Sequence, residues 1–166
     1  MSKGIHVEIS MPSDWTRIEL VRKGVGFFLW ASYGRGDLRD SLSMVSAELL
    51  ENAMKYAPPT EPITFALYEE GDRLVVTVKN AVDVSSHHVA SLRERLAWIE
   101  GFPTASEAYM AALAEVFHHK EGQGEGGLGM VRIAYEGGCE LSCDTPEPGV
   151  LVVRASRPLQ QAASTA

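Results

Sequence analysis

The order of hydrophobic patterns predicts an α+β fold: a two-layer α/β sandwich whose mixed, mainly antiparallel sheet is covered by helices on one face. Three observations carry this expectation. Residues 63–68 and 74–78 are apolar, β-branched runs joined by Glu70-Gly71-Asp72, which reads as a hairpin. A short alternating strand and two stripes of helical period precede that hairpin. A glycine-rich stretch, a further helical pattern and two strand-like runs close the chain.

In order, Ile5-His6-Val7-Glu8-Ile9 alternates apolar and polar residues and reads as a half-buried strand ended by Pro12. Ser13 or Asp14 is placed to cap the helix that follows, in which Trp15, Ile18, Val21, Val25 and Phe28 recur at helical spacing. That stripe is most simply core, and its aromatic end, Phe27 to Trp30, is also suited to a dimer surface. Gly34-Arg35-Gly36 stops the helix. Asp37 is the expected cap of a second helix, with Asp40 completing a capping-box-like pair. This helix reaches about Ala57, where Pro58-Pro59 forbids continuation. After the hairpin, residues 79–83 enter a loop. Ser85 or Ser86 is set to cap a third helix and Thr104 or Ser106 to open a fourth, separated by Gly101-Phe102-Pro103. Met130, Val131, Ile133 and Ala134 restart a helix after the glycines, and Gly137-Gly138 ends it. Strands at 140–143 and 150–153 finish a single domain of residues 1–156. The polar tail 157–166 is expected to be disordered.

The bulk composition sets limits on function. The chain has 166 residues, 45% of them apolar and 22% charged, as expected of one globular domain. A net charge of −7 lacks the basic footprint of a direct nucleic-acid binder. No apolar run is long enough to span a bilayer, and the N-terminal residues carry no signal-peptide pattern. The two cysteines, Cys139 and Cys143, fall on one side of a strand. They read as buried thiols of a reducing compartment rather than a metal or redox pair, in a cytoplasmic protein of bacterial type.

Two constellations carry chemistry. On the second helix, Glu48, Asn52 and Lys55 lie at spacings of four and three and form one polar strip beside the apolar strip of Leu42, Val45, Leu49 and Ala53. An Asn oxygen at a cleft edge can ligate Mg²⁺, and a Glu one turn earlier can accept a proton. Taken alone, the strip is more simply a solvated helix edge. The second is the run 121–129, with five glycines opening onto a helix; backbone there can approach an anion. Alone it reads equally as a phosphate cradle or a flexible linker. His118-His119-Lys120 lies beside it and reads first as a solvated cluster; none of the five histidines shows zinc-ligand spacing.

Together and in this order, these motifs resemble those of the GHKL (Bergerat-fold) histidine-kinase-like ATPase superfamily, over about residues 5 to 155. Residues 48–56, ELLENAMKY, look like that family's N box, and Gly127-Leu128-Gly129-Met130 looks like its second glycine box. The small single-domain size resembles the anti-sigma factor serine kinase branch. The resemblance implies ATP and Mg²⁺ as cofactors, Glu48 as catalytic base and Asn52 as metal ligand. It places Lys55 near phosphate and Gly127, Leu128 and Gly129 on the triphosphate. The family's Asp-x-Gly-x-Gly box is met here by Asn80-Ala81-Val82. Asn80 is the counterpart of the adenine-reading Asp and keeps an acceptor oxygen, while both glycines are missing. Glu125 stands at an earlier glycine position. The implied role is partner switching in bacterial signalling, with a regulatory protein partner (an antagonist or a sigma-like factor), protein serine/threonine kinase activity and a homodimer. The alternative is a non-catalytic interaction module on the same fold.

Overall fold

The structure is a computed structural model, and it describes residues 4–118 and 127–160. The elements are β1 (His6–Met11), α1 (Thr16–Tyr33), α2 (Gly36–Tyr56), β2 (Ile63–Glu70), β3 (Arg73–Ala81), α3 (His88–Glu100), α4 (Ala105–His118), α5 (Gly127–Tyr135), β4 (Glu140–Asp144) and β5 (Val150–Pro158). The sheet order is β1-β2-β3-β5-β4, and every neighbouring pair is antiparallel. The mixed sheet expected from sequence is therefore wholly antiparallel among the described residues. The layers are as predicted, with helices packed on the sheet.

Each helix end has a local cause. Asp14 Oδ1 accepts from the Thr16 backbone N–H at 3.0 Å and from its hydroxyl at 2.8 Å, starting α1. Gly34 ends α1 in the left-handed region at φ 61°. At α2 the predicted cap does not form. Arg35 is the extended residue before the helix and Asp37 lies inside the first turn, its carboxylate paired to Arg35 at 2.6 Å and to Arg157 at 3.7 Å. Asp40 pairs with Arg39 instead of reaching back. The acid still sits where a helix N-terminus favours negative charge. α3 starts at His88 after His87, with no side-chain cap, because Ser85 and Ser86 are bound to Asp83 in the preceding turn. Thr104 Oγ1 does accept from the Glu107 N–H at 3.2 Å, as a cap of α4 should.

The apolar stripe of α2 makes the centre of the core. Leu38, Leu42, Val45, Leu49 and Leu50 are at most 1% exposed, each worth about 1.5–3 kcal/mol of burial. They meet the helix-facing side of the sheet, where Phe65, Leu67, Val76, Val78, Leu151, Val153 and Ala155 are at most 2% exposed. The β2–β3 hairpin is tighter than predicted: Glu70 pairs with Arg73, leaving Gly71-Asp72 as the loop, with Gly71 at φ 61°. β3 also runs further, so Asn80 is a strand residue opposite Leu151 and not part of a loop.

The expected tail from residue 157 begins too early. Arg157 is the penultimate residue of β5, opposite Leu74 and only 6% exposed, held by its ion pair to Asp37. Leu159 then donates its backbone N–H to the Asp72 carbonyl at 2.8 Å and accepts from the Arg35 guanidinium. The rest of the expected tail, 161–166, lies outside the described residues. So do His119, Lys120 and the part of the glycine stretch before Gly127. Among the described residues no helix is long and apolar enough to cross a membrane.

Candidate functional site

Glu48 sits in the middle of α2 on the side that faces α5. Its Oε1 accepts from Arg132 Nη1 at 2.5 Å, and Arg132 Nε donates to Glu136 at 3.1 Å. The other oxygen lies over Gly129: a Cβ built there would come within 2.8 Å of Glu48 Oε2. One carboxylate thus spans from the guanidinium to the first turn of α5. Burial pushes its pKa up; Arg132 opposes that, and Glu51 and Glu136 add to it. Burial dominates because the side chain is only 16% exposed while Arg132 is 39% exposed.

Gly127, Leu128 and Gly129 are the first three residues of α5. Their backbone N–H groups are among the first-turn donors that a helix leaves without an intrahelical partner, where an anion is favoured. Sequence spacing assigned these glycines to the stretch before the helix; they are the helix start itself. Gly129 has a packing reason to be glycine, since any side chain would displace the Glu48 carboxylate. The two motifs, 81 positions apart between Glu48 and Gly129, are therefore in contact.

Asn52, one turn beyond Glu48, is half-buried on α2. Lys55 is exposed near the end of the helix, with Nζ 5.6 Å from the centre of the Tyr56 ring. Tyr56 stacks on His88 at the start of α3, centroids 3.5 Å apart. Burial lowers the His88 pKa, and the Lys55 ammonium lowers it further. Asn80 is 3% exposed at the end of β3, on the sheet side that carries Val76 and Val78. Its Nδ2 donates to the Ala81 carbonyl at 2.9 Å, which fixes Oδ1 as the free acceptor. That buried Oδ1 has no partner among the described residues.

A cleft of about 630 Å³ lies between α1, α2 and α5. Glu48, Glu51 and Arg132 line it with Trp30, Arg22 and Arg39, and the Arg39 guanidinium lies 5.1 Å from the centre of the Trp30 ring. Asn52, Lys55 and Asn80 do not line it. The polar strip predicted on α2 is therefore divided. Glu48 borders this cleft and the start of α5, whereas Lys55 borders the Tyr56–His88 stack. Sequence reasoning missed Arg132. Its signal was its place on the polar side of α5, where Met130, Val131 and Ile133 are buried, four residues before Glu136. Among the described residues no three His, Cys, Asp or Glu side chains are grouped to hold a metal ion.

With the geometry in view, the class of fold is an α+β two-layer sandwich. A solved structure shares it: the crystal structure of the SiaB–SiaC complex from Pseudomonas aeruginosa contains a similar chain. The TM-score is 0.72 at 21% identity, covering 91% of this chain and 88% of that one. No family model matches the chain, and no curated protein matches it by sequence.

Proposed function

We propose that this chain is an ATP-binding regulatory protein of the GHKL type, resembling anti-sigma factor serine/threonine kinases and acting by partner switching. The observation that carries the reading is the contact between Glu48 and Gly129. Two motifs that resemble an N box and a second glycine box meet in space, as a nucleotide site built from them requires. The buried, unpartnered Oδ1 of Asn80 supports it from the other end. An acceptor there suits the exocyclic amine of adenine, and an orphaned buried oxygen is costly unless something donates to it.

In this reading Asn52 would ligate Mg²⁺ together with phosphate oxygens and water, as that ion prefers. Lys55 and the first turn of α5 would hold the phosphates. Mg·ATP would supply the transferable phosphoryl group. Glu48 would take the proton of an attacking hydroxyl, and burial, which holds its pKa above the ordinary carboxylate value, would make it a stronger base. A protein partner is supported by the similar fold occurring in a two-protein complex. Isothermal titration with Mg·ATP on wild type and Asn52→Ala tests the reading: wild type should bind saturably and the variant should lose the Mg²⁺-dependent part. A folded wild type that gives no heat of binding would sink it.

A second reading has its own observation. Glu48 is already engaged by Arg132 at 2.5 Å, which favours a site that binds without turnover, or an interaction module indifferent to nucleotide. Partner binding that survives Glu48→Gln and ignores ATP would favour that reading.

A further inference from the structure

We propose that the open edge of β4 is a docking site for an extended segment of a protein partner, one that alternates apolar and basic residues and adds to the sheet as a further strand. β4 ends the sheet and is paired only by β5 among the described residues. Its register fixes where its free backbone groups point. The Val82 N–H donates to the Gly149 carbonyl, so the odd residues of β5 turn their backbone groups toward β3 and the even ones toward β4. Ser156, Arg154 and Val152 face Glu140, Ser142 and Asp144, which therefore carry the β4–β5 hydrogen bonds. Leu141 and Cys143 turn their N–H and C=O groups to the open side. Cys139 alternates in the same sense, and its N–H donates to the Ile133 carbonyl of α5. An edge of this kind is a template for another strand.

Helix α3 turns this edge into a groove. Val89, Arg93, Leu96 and Glu100 recur at helical spacing on the side of α3 that borders β4. At the start of β4 a cavity of about 620 Å³ is lined by Leu96, Ile99, Phe102 and Leu141. Beyond its end lies one of about 390 Å³, lined by Val84, Val89 and Thr145. Arg93 ties the helix to the end of the strand, donating to Thr145 Oγ1 at 3.1 Å. A peptide laid between an edge strand and a helix is a recurring mode of recognition. Main-chain hydrogen bonds hold it, and pockets for alternate side chains select it.

The two faces of the edge require different side chains. On the helix side Leu141 and Cys143 are half-buried against the core, so residues opposite them should be apolar. On the other side Glu140, Ser142 and Asp144 are exposed, the Glu140 side chain at 82%. A residue opposite a carboxylate should be basic. The nearby cations are engaged elsewhere: Arg154 is held by Glu70, and Arg73 bonds Ser156 and meets Glu140 only at 3.5 Å. A net charge of −7 also draws a basic segment toward the chain. Paired antiparallel, Lys-Val-Thr-Val-Lys sets its lysines against Asp144 and Glu140, its valines against Cys143 and Leu141, and its threonine against Ser142. A second copy of β4 centred on Ser142 would set Glu140 against Asp144, like charge against like, so the occupant is a different chain.

Titration of the full chain with a blocked peptide carrying Lys-Val-Thr-Val-Lys at its centre, read by fluorescence anisotropy and amide NMR, tests the proposal. Binding should be saturable, with the largest shifts at the Leu141 and Cys143 amides. Methylating the two valine nitrogens of the peptide keeps its charge and apolar surface but removes the N–H donors that face the edge, so binding should be lost. Glu140→Gln combined with Asp144→Asn should weaken binding about tenfold. Both positions are exposed, and Asn keeps a side-chain acceptor for the Thr145 N–H, so circular dichroism should show the wild-type fold. Neither nucleotide nor Mg²⁺ takes part, so the result stands apart from the proposed ATP site. A chain that does not bind the peptide, or binds the N-methylated form equally well, would overturn the proposal. So would shifts that appear on β1 in place of β4.

Discussion

Replacing Arg132 by Ala removes the cation that faces the Glu48 carboxylate at 2.5 Å. Two unit charges about 3 Å apart attract by about 5 kcal/mol at an effective dielectric of about 20. Desolvation of Glu48 offsets part of that, and Arg132 is 39% exposed, so solvent screens the pair further. A net coupling of about 1–2 kcal/mol at neutral pH is expected. Its pH dependence follows from the sign of the shift. The folded-state pKa of Glu48 lies above its ordinary value because burial outweighs Arg132. Its favourable contribution is therefore present below the ordinary carboxylate range and is lost as pH rises through the folded value. Without Arg132 the folded value climbs further, and the loss at neutral pH deepens. Below about pH 4 Glu48 is protonated in both states and needs no cation. Arg132 also binds Glu136, so the single variant overstates the Glu48 pair. Urea unfolding of wild type, Arg132→Ala, Glu48→Gln and the double variant isolates it. Coupling present at neutral pH and gone near pH 4 is the expected result. Equal coupling at both pH values, or none at neutral pH, would refute the reasoning.

Two glycines of α1, two residues apart, should respond unequally to alanine. A Cβ at Gly24 meets nothing within 4 Å, so Gly24→Ala should raise stability by up to about 1 kcal/mol through helix propensity. A Cβ at Gly26 comes to 3.2 Å from Ser43 Oγ, so the crowding offsets the propensity gain and Gly26→Ala should raise the melting temperature less than Gly24→Ala. Thermal melts of the two variants decide; equal gains would contradict the packing described. Burial pushes the Cys139 thiol up to about 12. A thiol reagent at mildly alkaline pH should therefore modify half-buried Cys143 in the native protein and reach Cys139 only on unfolding. Early labelling of Cys139, read by peptide mass, would show a looser core.

What the sequence made legible was whatever local periodicity encodes. The α2 stripe from Leu42 to Ala53 and the strands on either side of Gly71 each repeat with the period of their element, and both form as expected, the hairpin loop being shorter by one residue. Strand direction is not encoded by period, which is why the sheet was expected to be mixed and is antiparallel. Asp37 looked like a cap because the residue type fits, but Arg35 and Arg157 compete for its carboxylate, the second from 120 positions away. The same partnership turned Arg157 from an expected tail residue into buried strand. At the candidate site, Glu48 and the glycines were visible as types at suitable spacings. Arg132 was not, because the Glu48 pair joins residues 84 positions apart and leaves no local pattern. The division of the α2 strip was equally hidden, since it depends on where α1, α3 and α5 pack around the helix.

The nucleotide reading is tested most directly at Asn80, whose side-chain amide is tied to Ala81 and whose Oδ1 is buried without a partner among the described residues. Heteronuclear NMR of the folded protein, with the Asn80 side-chain amide assigned through Asn80→Ser, reads it as Mg·ATP is added. The account predicts saturable shifts of that amide together with the backbone amides of Gly127, Leu128 and Gly129. An Asn80 amide and glycine turn that stay in place at saturating Mg·ATP would contradict it.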